Sequence, residues 1–106
     1  MSNSFKDRET GFENKFAHDE EMQFKAFARR NKLLGLWAAG VLGKSGADAD
    51  AYAMEIVFAD FKEAGHEDVY RKIAGDLGAA ADEATIRSKM AELLGTAKEQ
   101  LMSEIR

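Results

Sequence analysis

The 106-residue chain has no cysteine and no proline, one tryptophan and two histidines. Lacking cysteine, it can form no disulfide, thiolate metal site or sulfur nucleophile, which fits a reducing compartment. Lacking proline, it has nothing to interrupt a helix from within, and a composition rich in Ala, Leu, Glu, Lys and Met favours long helices. The longest apolar run, Leu33 to Leu42, includes Gly35 and Gly40 and falls well short of the roughly 20 residues that cross a bilayer. Ser2 to Glu21 is polar with scattered aromatics, so no secretory leader is expected.

What is present points to one small soluble domain: 45% hydrophobic and 32% charged residues, enough for a modest core. The net charge of −4 is unevenly spread. Residues 1–44 carry eight Lys or Arg against six Asp or Glu, and residues 45–106 carry seven against thirteen, giving +2 and −6. Apart from Arg29, Arg30 and Lys32 there is no basic stripe, which argues against nucleic acid as a partner.

The densest apolar stretch, Lys25 to Gly43, holds Trp37. Phe27, Leu34, Ala38 and Val41 fall at helical spacing, and Arg29, Arg30 and Lys32 interrupt its first half, so it reads as a helix that becomes buried toward its C-terminal end. Asp19, Glu20 and Glu21 suit the first turn of that helix, and Gly43 supplies a left-handed stop. Ser45 to Asp48 has the S-x-x-D form of a capping box, predicting a second helix to Ala64, central in the bundle because its apolar residues cover more than one face. Gly65 ends it. Glu67 and Asp68 open a short third helix closed by Gly78, and Asp82 caps a fourth with the stripe Ile86, Met90, Leu93, Ala97 and Leu101. Short loops between four helices predict an all-α, up-and-down four-helix bundle over residues 19–106, its third helix short.

Residues 1–18 lie outside that pattern. The segment has too little aliphatic content to order itself. Yet Phe5, Phe12 and Phe16 share one face of a helix within about 40° of arc, and Phe27 extends the line. A tail with one apolar stripe suits folding against a partner groove, or covering the bundle's own surface.

Catalytic chemistry is sparse. Gly43-Lys44-Ser45 matches the end of a phosphate loop, but Ala38 stands where that motif needs its first glycine and a helix where it needs a strand. His18 and His66 have no second histidine near them, so a zinc site is not expected. Carboxylates beside His18 favour its charged form, which would make the tail pH-sensitive. The carboxylates sit at helix starts or on exposed faces, and no acid/base pair can be nominated. These observations do not describe an enzyme.

Several blocks carry a resemblance. Asp7-Arg8-Glu9, Lys15 to Asp19, Ala28-Arg29-Arg30-Asn31-Lys32-Leu33-Leu34-Gly35, Trp37-Ala38-Ala39-Gly40, Glu67-Asp68-Val69 and Thr85-Ile86-Arg87 resemble the zeta subunit family, small inhibitors of bacterial F-type ATP synthases. The resemblance implies a four-helix bundle with a mobile N-terminal inhibitory segment that enters a catalytic interface of the ATPase as a helix and blocks the rotation accompanying hydrolysis. Phe5, Phe12 and Phe16 would be its anchors, and Arg8 and Lys15 could add charge pairing. The implied partners are the catalytic head and rotor of the synthase, with the protein cytoplasmic, peripheral to the inner membrane and monomeric when free. No cofactor is required, but ADP or ATP is implied as a regulatory ligand, for which Arg29, Arg30 and Lys32 are the available phosphate partners. The competing reading is an adenine-nucleotide-sensing module acting through the bundle.

Overall fold

The computed structural model describes residues 20–60 and 66–105. They form four helices: α1 Glu20–Val41, α2 Gly46–Ala59, α3 Glu67–Leu77 and α4 Glu83–Ile105, with a 3-10 turn at Gly78–Ala80 between the last two. No strand occurs among the described residues. The all-α fold with a short third helix is therefore as the sequence pattern predicts, while the N-terminal segment lies outside the described residues.

The helix ends follow local chemistry. At the end of α1, Gly43 takes φ +81°, and the Lys44 and Gly43 amides donate to the carbonyls of Ala39 and Gly40 at 2.8 and 3.1 Å. These are the two bonds of a Schellman stop, and the left-handed residue they require is the glycine the sequence singled out. Asp82 caps α4, its Oδ1 accepting from the Thr85 amide at 2.8 Å. That bond holds the Asp82 carboxyl below the usual carboxylate range. Ser45 takes the N-cap position of α2 with extended backbone, but its hydroxyl makes no capping bond, so the expected capping box does not form. Helix α2 also stops earlier than expected, at Ala59; residues 61–65 lie outside the described residues.

The larger correction concerns which helix is central. Helix α1, not α2, has the most extensive packing: it lies along both α2 and α4 and also meets α3, which touches all three others less extensively. Half of the eight buried positions of α1 are small, Ala26, Gly35, Ala38 and Ala39; the others are Met22, Arg30, Asn31 and Leu34. A methyl group on Gly35 would stand 2.6 Å from the Ala53 Cα, so α1 and α2 meet backbone to backbone there. Meanwhile Met54 and Phe58 of α2 are 43% and 58% exposed, and Val41, expected in the buried stripe of α1, is 40% exposed. Large apolar residues suggested a central α2. What sets centrality is instead a flank narrow enough to be approached from several sides, and that belongs to α1.

The lengths then divide the molecule into two ends. Helices α1 and α4, of 22 and 23 residues, outrun α2 and α3, of 14 and 11. At one end all four meet around Leu34, Ile56, Ile73 and Ile86, each fully buried. At the other end a separate, smaller cluster of Met22, Ala26 and Leu101 joins α1 to α4 alone, with Leu94 and Met102 packed against it.

Candidate functional site

A groove opens where α2 runs out. Met22, Phe24, Lys25, Ala28, Arg29 and Lys32 of α1 form its floor and one rim, Met54 and Val57 of α2 one wall, and Leu101 and Glu104 of α4 the other. Its volume is about 630 Å³, within the range of small-molecule sites, and its lining is mainly apolar. Phe24, at its edge, is 57% exposed.

Arg29, Arg30 and Lys32 do not share one side of α1. Arg29 and Lys32, three residues apart, share the groove-facing side of α1. Arg29 crosses to α4, where both guanidinium nitrogens reach the Glu104 carboxylate, the Nη2 bond measuring 3.0 Å. This pairing lowers the Glu104 pKa and raises that of Arg29. Arg30 points elsewhere and is only 3% exposed.

Around Arg30 lies a polar cluster that helical periodicity did not reveal. Its Nε donates to Asn31 Oδ1 at 2.8 Å, and its guanidinium sits 5.3 Å from the centre of the Phe27 ring. Phe27 stacks on His66 with ring centres 4.1 Å apart, and His66 Nδ1 lies 3.1 Å from Asp60 Oδ1. Burial lowers the Arg30 pKa, and attraction to Asp60 opposes that. Arg30 Nη2 and Asn31 Nδ2 are buried with no hydrogen-bond partner among the described residues. A cavity of about 120 Å³, lined by Phe24, Phe27, Ala28, Asn31, Val57 and Asp60, adjoins this cluster. The sequence did hold a signal: adjacent Arg and Asn between Ala26 and Leu34 cannot both reach solvent if the helix is approached from several sides.

A third polar group ties α2 to α3. The Tyr52 hydroxyl donates to Asp76 Oδ2 at 2.8 Å, and Lys72 Nζ reaches the same oxygen at 2.9 Å. Burial raises the Tyr52 pKa, and the Asp76 carboxylate adds to the effect.

Phe5, Arg8, Phe12, Lys15, Phe16 and His18 lie outside the described residues. Among the described residues no cluster of three or more His, Cys, Asp or Glu could hold a metal, and no helix is long and apolar enough to cross a membrane. Gly43 and Ser45 serve as the helix stop and N-cap residue described above, not as a phosphate loop.

The described residues thus form a proline-free helical body with an apolar groove and one cationic rim. The comparison with protein families is more specific: the family model described as ATPase inhibitor subunit zeta matches residues 1–100. The chain belongs to the family of ATPase inhibitor zeta subunits, which implies association with an ATP synthase. It is also similar to a protein solved by solution NMR, at 64% identity and a TM-score of 0.74, covering 78% of this chain and 98% of that one. None of the curated proteins matches.

Proposed function

We propose that this protein inhibits ATP hydrolysis by a bacterial F-type ATP synthase, and that residues 1–18 do so by folding as a helix into a catalytic interface and blocking the rotor. The observation that carries the reading is the family match, which extends back through residue 1 and so takes in the leader. Among the described residues, both buried clusters are built between Met22 and Leu101. A leader that carries Phe5, Phe12 and Phe16 on one helical face is suited to bury that face in a partner. Ordering it costs free energy on binding, offset by the aromatic anchors, with Arg8 and Lys15 available for charge pairing. The body is then a monomeric carrier, peripheral to the membrane on the cytoplasmic side through the synthase.

The test is to add the purified protein to the matching ATPase and follow hydrolysis. Inhibition is expected, and Phe5→Ala/Phe12→Ala/Phe16→Ala should weaken it by well over tenfold, since a buried anchor is worth about 2 kcal/mol or more. Unchanged potency in that variant would remove the mechanism. The nucleotide-sensing alternative has less support, because Arg30 is buried, Arg29 is engaged by Glu104 and Lys32 remains as the available cation. Titration of the protein with ADP or ATP, followed by amide shifts of Ala28 to Lys32, tests it directly. Trp37 belongs to the packed end and would report poorly.

A further inference from the structure

We infer that the groove between α1, α2 and α4 is a second contact with the ATPase, gripping an amphipathic helix of the enzyme that carries an acidic flank. The inference rests on the proposed inhibitory function and adds to it a hold on the body, independent of the leader.

Shape comes first. Helix α3 lies with the packed end, its Val69, Ile73 and Leu77 all belonging to the main core cluster, so among the described residues α1 and α4 run past α2 with no fourth helix beside them. A channel bounded by two antiparallel helices and the end of a third is matched by another helix, whose apolar stripe would lie along Met54 and Val57. A flat lipid surface would not reach into it.

Charge comes second. Lys25, Arg29 and Lys32 stand at i, i+4 and i+7 along one rim, a row of about 10 Å. In a chain of net charge −4 this row is an exception. Arg29 faces Glu104, and Lys25 lies 3.2 Å from Glu21 in an exposed pair of the kind worth about 0–1 kcal/mol and readily exchanged. Lys32 has no ion-pair partner among the described residues. An incoming acidic flank meets Lys32 directly and can exchange into the exposed Lys25 pair, whereas a basic helix would be repelled.

Position comes third. The described chain begins at Glu20, beside the groove, so a body held there keeps the leader close to its target. Linking two contacts this way raises the effective concentration of the second far above that of free protein.

The full chain carrying Phe5→Ala/Phe12→Ala/Phe16→Ala serves as a competitor for wild-type protein on the intact ATPase. It should not inhibit, yet it should displace wild type and restore hydrolysis. Adding Lys32→Glu and Met54→Glu, both at exposed positions, should weaken that displacement by about tenfold or more, with the helical circular-dichroism signal unchanged. Equal displacement with and without those two changes would overturn the inference, and so would a competitor that never displaces. If the competitor itself still inhibits, it is the leader mechanism that fails. The occupant is identified separately: the chain has no cysteine, so Met54→Cys carries a single photocrosslinker into the groove. An adduct with an Asp- or Glu-flanked helix of an ATPase subunit supports the proposal; an adduct with this chain's own residues 1–19, with a second copy, or with lipid overturns it.

Discussion

Among the described residues, the two ends of this bundle are built from the same two long helices, yet one is closed by four elements and the other by two. At the closed end Leu34, Ile56, Ile73 and Ile86 are fully buried, and α2 approaches α1 so tightly that Gly35 has no room for a methyl group. At the open end three buried residues hold α1 to α4, while Phe24 and Met54 stand more than 40% exposed around a groove. Dense packing at one end secures the fold, which leaves the other end able to keep apolar surface in contact with water. Dense packing and the open groove thus lie at different ends.

The difference can be tested by deleting the same kind of side chain at each end. Ile73→Ala should destabilise by about 2–5 kcal/mol, because the surrounding isoleucines cannot close the cavity. Leu101→Ala should cost about 2 kcal/mol or less, since α1 and α4 can settle toward each other there. Denaturant midpoints at constant slope measure both. Native-state hydrogen exchange should show the same ordering without mutation, with α1 amides near Met22 opening at lower free energy than those near Ala38. Equal costs at the two ends would erase the distinction.

Gly35→Ala is the next largest effect. The added carbon would meet backbone rather than a flexible side chain, and overpacking costs about 1–3 kcal/mol. The gain in helix propensity, about 1 kcal/mol, offsets part of this. A net loss of up to about 2 kcal/mol is expected by the same measurement, whereas a gain would mean that the α1–α2 contact is looser than the backbone geometry implies.

Much of this was legible in the sequence, and the failures have physical causes. Gly43 and Asp82 were readable because a left-handed stop and an N-cap each need particular residue types at a single position. The α4 stripe was readable because one face of the helix stays buried along its length, from the main cluster to the smaller one. Helix order was lost where burial comes from small residues: Gly35 and Ala39 carry little hydrophobic signal, yet they let neighbours close on α1, while Met54 and Phe58 signal a core and face outward. The cations diverge in placement for a related reason. On an exposed helix Arg29, Arg30 and Lys32 would form one basic patch, but in a central helix the 100° step from 29 to 30 is the difference between a groove rim and the interior. The leader residues lie outside the described structure, and their role stands on the stripe and the family match.

Smaller effects sharpen the closed end further. Tyr52→Phe removes the hydroxyl that donates to Asp76 and should cost about 1 kcal/mol at neutral pH. The Asp76 carboxyl is held below its usual value, first by the hydrogen bond from Lys72 and then by that from Tyr52. Its contribution is therefore present above the ordinary carboxylate range near pH 4 and is lost as pH falls through the lowered value. In Tyr52→Phe that carboxyl moves back toward its usual value, so acid should weaken the variant less than the wild type. Thermal unfolding of both proteins between about pH 3 and 7 measures the narrowing gap.

The smallest change works in the opposite direction. Gly95 lies exposed within α4, with negative φ and nothing within 4 Å of where a Cβ would stand. Gly95→Ala should therefore stabilise by up to about 1 kcal/mol, through helix propensity and a less entropic unfolded chain. Leu94, its neighbour, packs on the Met22 and Leu101 cluster, so the gain should slow amide exchange along α4 toward the open end more than it raises the stability of the closed end. If a stiffer α4 also left ATPase inhibition unchanged, the groove would be acting as a preformed seat. If inhibition fell while the fold grew more stable, the open end must flex for its partner to enter, and the looser packing there would be part of how the protein binds.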